Sequence, residues 1–251
     1  MQFDGLHAVA DYAALYTALR QAALVDFLCA RLGSFDVRCD SDRRTVVFSS
    51  TRPDRRDRVI RSKAALVAVV APHDVVWGWS LTGDGEAGPT SALRDTVARL
   101  GLDETGAVRA DLPSGVATSR GTDDAEDPDG VVDLIAAAAV ESTGISPHCT
   151  VPLDGHARAL FLLEGLPVPE PSFADFATRL PMVLDSLAVR DHRVAIHGMA
   201  ARRGWHISWR TGSDRGRSPI CDVTDGRSVA HVDFDRRGRP VGYRCRLAAA
   251  D

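Results

Sequence analysis

The sequence predicts an α+β protein made of two units, each a helix laid on an antiparallel sheet. Three observations carry that prediction. A long amphipathic segment precedes hairpin-like alternation twice, once in the N-terminal third and once after Ser172. Asp154-Gly155, Asp225-Gly226 and Arg237-Gly238 separate short apolar runs in the manner of β-turns. Tryptophans come in two pairs at even spacing, Trp77 with Trp79 and Trp205 with Trp209, so on strands both rings of a pair would share one face. The likeness of the two patterns suggests a divergent internal duplication, although identity between the halves is low.

The elements follow in order. Tyr12, Leu15, Tyr16, Leu19, Ala23, Phe27 and Leu28 form a helical stripe that predicts a first helix over about Val9 to Arg31, with Asp11, Arg20, Gln21 and Asp26 opposite and Gly33 as its stop. Val37 and Cys39, a polar turn through Arg44, then Val46 and Phe48 read as a hairpin. Ala64 to Ala71 is apolar on both faces and predicts a central strand, turned by Pro72-His73-Asp74 into the Trp77 strand. Pro89 opens a short helix to Leu100. Residues 113–130 are nearly devoid of large apolar side chains and read as a linker between a unit over 1–112 and a unit over 131–251. The second unit begins with a helix from Val131 to Thr143 and strands at Cys149 to Leu153 and Ala157 to Glu164. A capping box at Ser172 and Asp175 then starts a helix that Pro181 should kink or split. Strands are expected at Val194 to Met199, Trp205 to Arg210, Ile220 to Val223, Val229 to Phe234 and Val241 to Leu247.

Composition bounds the function. No purely apolar run approaches the roughly 20 residues of a spanning helix, the nearest being Ala64 to Ala71, and the N-terminus lacks a basic segment followed by an apolar one. A cytoplasmic protein without a membrane contact is the expectation. Five widely spaced cysteines without a Cys-x-x-Cys pair argue against a disulfide framework and a zinc ribbon. Arginine vastly outnumbers lysine, which is represented by Lys63 alone, and asparagine is absent, as in a GC-rich coding genome. Arginine clusters therefore carry little weight as evidence for nucleic acid. Charge is uneven: residues 82–189 are strongly acidic and both flanks are basic, which favours docking of the parts on one another.

The run from Ala64 through Trp79 to Leu100, an apolar strand, a tight turn, Trp-x-Trp and a helix led by Gly and Pro, resembles an uncharacterised bacterial family whose members carry a Trp-x-Trp strand. Val131 to Leu163 is similar to it as well. The resemblance implies an α+β architecture and brings no catalytic residue with it.

Candidate sites are few. His206, Ser208 and Arg210 should share one strand face, and His231, Asp233 and Asp235 another; if those strands were neighbours in register, His206, His231 and Asp233 could serve acid-base chemistry or a divalent metal. The plainer account is the solvated face of a half-buried sheet. His148, Cys149 and His156 lack a fourth zinc ligand at recognisable spacing. No Gly-x-Ser-x-Gly elbow, phosphate loop or His-Glu-x-x-His helix is present. The basic loop around Arg55, Arg56 and Arg58 lacks interleaved aromatics, which argues against nucleic acid and for a secondary contact with an acidic surface. Trp77, Trp79, Trp205 and Trp209 would frame either the core or a groove for a ligand or partner. The sequence thus points to a non-enzymatic binding or accessory protein for a small ligand or protein partner, with no cofactor or metal expected; an enzyme or metal-binding protein using the His/Asp face is the alternative. Oligomeric state is not readable from it.

Overall fold

Helix α1 runs from Asp4 to Leu32, and α4 (Pro128–Thr143), α5 (Phe173–Ser186) and α6 (His192–Arg203) all pack on it. The computed structural model describes residues 4–81, 89–99, 109–111, 128–211 and 218–249. A helix surrounded by partners can be apolar nearly all round. In α1 the buried set accordingly runs Ala13, Ala14, Leu15, Tyr16, Thr17 without a break, and even Asp11 and Arg20, expected to face solvent, are buried. By length and composition α1 could also cross a membrane, contrary to the expectation that no segment would; half of that apolar window is buried within the fold.

The first sheet has seven antiparallel strands: β1 (Phe35–Asp40), β2 (Thr45–Ser50), β3 (Val59–Ala71), β4 (Asp74–Trp77), β5 (Arg109–Asp111), β6 (His148–Pro152) and β7 (Arg158–Glu164). The long β3 is its spine. Lys63 pairs with Thr45 on one side and Glu164 on the other, and Ala68 with Trp77 and Leu160, so β2 and β4 share one edge of β3 while β7 takes the other. A bulge between Leu66 and Ala68 bends the spine, and β1 approaches β6, curling the sheet toward a half-barrel. Both faces of β7 are buried: Leu160 and Leu162 join a core with α1 and α4, while Ala159, Phe161 and Leu163 join a second with Leu24, Leu28 and Leu32 near the end of α1. Truncating a residue as enclosed as Phe48 in that second core should cost about 3–5 kcal/mol.

The second sheet is a four-stranded meander, β8 (His206–Thr211), β9 (Pro219–Thr224), β10 (Val229–Phe234) and β11 (Pro240–Arg246), in spatial order β11-β10-β9-β8. Its inner face carries Cys221, Val223, Ala230, Val232 and Phe234, which belong to the same core as α1, α4, α5 and α6. Tyr243 on β11 ties the sheet to α5 by donating its hydroxyl to the Ala177 carbonyl at 2.8 Å.

Most of the expected elements are present: the β1–β2 hairpin, the β3 and β4 strands, α3 (Pro89–Arg99), α4 with its stop at Gly144, and the capping box of α5. Two expectations are corrected, the strand at 194–199 and the strand placement of Trp79. Residues 194–199 form part of helix α6 and not a strand, because Asp191 caps the segment by accepting from the Arg193 N–H at 2.9 Å and Gly204 closes it in the left-handed region. The buried set Ala195, Ile196, Met199 and Ala200 has helical spacing, and a Cβ on Gly198 would lie 1.8 Å from the Tyr12 carbonyl oxygen, so α1 and α6 cross in near backbone contact. Pro181 sits inside α5 and does not split it. Asp154 to His156 form a 3-10 turn that joins β6 to β7 as the expected hairpin. The Trp77 strand ends at Trp77: Gly78, whose absent side chain lets it lie against the Leu66 carbonyl, starts a single helical turn, α2 (Gly78–Leu81), that brings Trp79 back onto Trp77.

The expected grouping of residues also changes. Segment 131–164 was assigned to the second unit, yet β7 hydrogen-bonds along β3 and β6 along β7, so these strands belong to the first sheet. Of the expected linker, residues 128–130 form the first turn of α4 and 113–127 lie outside the described residues.

Candidate functional site: a groove between α1, α4 and α5

Alanines at 14, 18 and 22 recur one turn apart on α1, so that this face projects little beyond its backbone. Against it stand Leu134 and Ala137 of α4 and Val183 of α5, which leave a cleft of about 410 Å3. That volume falls within the roughly 300–1,000 Å3 of small-molecule sites. His148, at the start of β6, also lines it, and the ion pair between Arg179 of α5 and Asp26 of α1 lies along it.

The polar groups set this cleft apart. Asp11 Oδ1, Thr17 Oγ1, Gln21 Oε1 and His148 Nδ1 are buried and have no hydrogen-bond partner among the described residues. Asp11, Thr17 and His148 are 6%, 4% and 6% exposed. The second oxygen of Asp11 accepts from the Arg190 N–H at 3.2 Å, and His7 Nδ1 stands 3.9 Å from the first. An unmet buried polar group costs about 1–3 kcal/mol, so four around one cleft mark a place where water or a ligand completes the hydrogen bonding. Burial pulls the His148 pKa down to about 4, so its imidazole is neutral at pH 7, with one ring nitrogen donating and the other accepting.

The neighbouring polar network shows what a satisfied site looks like in the same molecule. Arg20 is buried, yet its Nε donates to Ser146 Oγ at 3.0 Å and its two terminal nitrogens to the carbonyls of Ser146, Val168 and Pro169 at 3.1, 2.9 and 2.7 Å. Glu170 completes the charge balance 3.6 Å away and accepts from the Tyr16 hydroxyl at 2.9 Å. This guanidinium is a clamp that holds two connecting segments on α1.

The second sheet brings together a different set from the one the sequence singled out. Strand β9 separates β8 from β10, so His206 lies across from Thr224 and Val229 while His231 lies across from Asp222 and Ser208. His206 and His231 are thus two strands and two residues apart in register and do not converge. Asp222, which the sequence did not single out, takes the central place. It accepts from Arg210 Nε at 3.0 Å and stands 2.5 Å from His231 Nδ1. The Arg210 hydrogen bond, and after it that of His231, hold the Asp222 carboxyl below its usual range. Asp233 faces Arg244 at 3.9 Å instead. Ser208, Asp222 and His231 lie in one row with the carboxylate in the middle, so the imidazole does not bridge acid and hydroxyl as nucleophilic catalysis requires. Among the described residues no three His, Cys, Asp or Glu side chains form a group that could hold a metal ion.

His148 and Cys149 are adjacent on β6 and so point to opposite faces of the sheet. Burial pushes the Cys149 and Cys221 thiols up to about 12, which leaves them inert as nucleophiles.

Each of the four tryptophans stands against another aromatic ring, with very different burial. Trp77 is 1% exposed, with Trp79 stacked on it at 4.8 Å and 7°. Trp205 packs against both Phe173 and Phe176 at 5.0 and 5.3 Å. Trp209 is 40% exposed and leans on Phe234 at 5.8 Å. None of the four lines the helix groove. Arg56 and Arg58 are exposed, Arg58 donates to the Arg31 carbonyl at the end of α1, and Arg55 stands 3.7 Å from Asp54. Of the acidic stretch expected to meet them, residues 82–88, 100–108 and 112–127 lie outside the described residues.

Sequence reasoning placed Asp11 and Gln21 on the solvent side of the first helix and missed the groove. The usable signal was that this helix is apolar on nearly every face, which means partners all round and an obligation on each polar group within it.

The chain belongs to a family of unknown function, DUF6882, whose model matches residues 7–166. The match runs from α1 through β7, taking in the first sheet and two walls of the groove; α5, α6 and the second sheet lie beyond it. Searches of curated proteins and of solved structures find no match to the chain.

Proposed function

We propose that this protein is a non-enzymatic small-molecule-binding protein whose site is the α1/α4/α5 groove. The observation that carries the reading is the coincidence of a ligand-sized cleft with four buried, unpartnered polar atoms on its lining residues. Apolar walls with a few polar groups are the usual make-up of such a site. Five free cysteines, three of them exposed, support a reducing compartment such as the cytoplasm. The exposed arginines around Arg56 serve as a secondary contact for an acidic surface.

A fragment library followed by 1H–15N correlation spectra tests the reading. Bound fragments should shift amides of α1, α4 and α5 together, and Ala18→Phe, which fills the groove, should abolish those shifts while leaving the remaining spectrum in place. Hits that map elsewhere, or that persist in the Ala18→Phe variant, would sink it.

A further inference from the structure

We propose that the groove takes an extended aliphatic amine, with the Asp11 carboxylate as the counter-charge for its ammonium group and Gln21 and Thr17 receiving a hydrogen-bond donor at the other end. This rests on the reading of the groove as a small-molecule site and adds the chemistry of its ligand.

The first argument is the type of atom left unmet. A carboxylate oxygen and an amide oxygen can only accept, and the Thr17 hydroxyl can do so as well. Such a set asks for a ligand rich in donors. Charge points the same way: Asp11 and Asp26 line the groove, and the Arg179 guanidinium beside them is engaged with Asp26. An anion entering here would meet the Asp11 carboxylate, whereas an ammonium would gain a charge-assisted hydrogen bond from it. His148, neutral at pH 7, does not oppose a positive ligand.

The second argument is length. At about 1.5 Å per residue, Thr17 and Gln21 lie about 9 and 15 Å from Asp11 along α1, too far for one compact group to reach both ends. Between them the wall is alanine and aliphatic, Ala14 and Ala18 on α1 with Leu134 and Val183 opposite. Methylene groups suit that stretch, and each one buried contributes about 0.8 kcal/mol. An elongated chain with a cationic head, an apolar middle and a donor at its far end matches the three unmet oxygens and the apolar wall between them.

The test uses the full-length chain and four probes of matched length: 1,8-diaminooctane, 8-aminooctan-1-ol, 1,8-octanediol and suberate, titrated by calorimetry at fixed ionic strength. The two amines are expected to bind saturably, the diol at least tenfold more weakly, and suberate not measurably. Asp11→Asn keeps an oxygen for the Arg190 N–H and should lower amine affinity at least tenfold and diol affinity by clearly less, with circular dichroism reporting an intact fold. Gln21→Leu should weaken amines and diol alike. Equal binding of diol and amines, both lost in Ala18→Phe, would overturn the cation assignment and leave the groove standing. No binding of any probe would overturn both, with ordered water as the groove's occupant. Amine binding unaffected by Ala18→Phe and Asp11→Asn would place it on the acidic surface and overturn the assignment.

Discussion

His148 shows how one residue acquires its behaviour from burial alone. In an unfolded chain its imidazole takes up a proton near pH 6.5, whereas in the fold desolvation holds it neutral down to about pH 4. Below pH 6.5 the unfolded state therefore binds the extra proton, and stability falls with falling pH until the folded-state pKa is reached. The expected loss between pH 7 and pH 4 is on the order of 3 kcal/mol, and it should be missing from His148→Gln. The lowered carboxyls of Asp191, Asp222 and Asp235 act in the same sense but at lower pH, losing their contribution only as pH drops from about 3.8 through their folded pKa values, so the upper window isolates the imidazole. Urea unfolding of both proteins across that range measures it, and identical pH profiles would refute it.

Arg20 works at the scale of elements. It is the link between α1 and the connections that lead into β6 and out of β7, and its four donated hydrogen bonds end on three carbonyls and one hydroxyl that have been drawn out of water. Arg20→Ala removes the partner of all four and strands the carbonyls, so destabilisation of about 3 kcal/mol or more is expected, in the range of other broken buried charge networks. Hydrogen exchange should show opening concentrated at 144–147 and 166–170; uniform exchange across the sheet would instead mean that Arg20 only fills space. Element identity was well legible where the chain carries its own signal. The Ser172 and Asp175 box, the Gly144 stop and the alternation through Val46 and Phe48 act locally and were read correctly. The 194–199 segment was misread because Val194 and Ile196 alternate like a strand; the Asp191 cap was a local signal passed over, while the crossing against Tyr12 at Gly198 depends on a neighbour.

For the whole molecule the decisive fact is one core shared by α1, α4, α5, α6 and both sheets. A chain organised this way should unfold in a single transition. Two single-tryptophan-pair proteins, one keeping Trp77 and Trp79 and the other Trp205 and Trp209, with the removed rings replaced by Phe, place a fluorescence probe beside each sheet. Their urea midpoints should match those from circular dichroism of the same protein, and a sheet that melts apart from the helices in either would show separate units. The α+β class, the hairpins, the capped helices and the polar outer face of the second sheet were all written in the sequence, because period, caps and turn residues act within a few positions of one another. The tertiary structure alone decided that β6 and β7 complete the first sheet and that β9 carries Asp222 between the two histidine strands. It alone placed Asp11 and Gln21 at a cleft and not in solvent. Those outcomes depend on which distant surface each element meets, and a chain read one window at a time carries no record of that meeting.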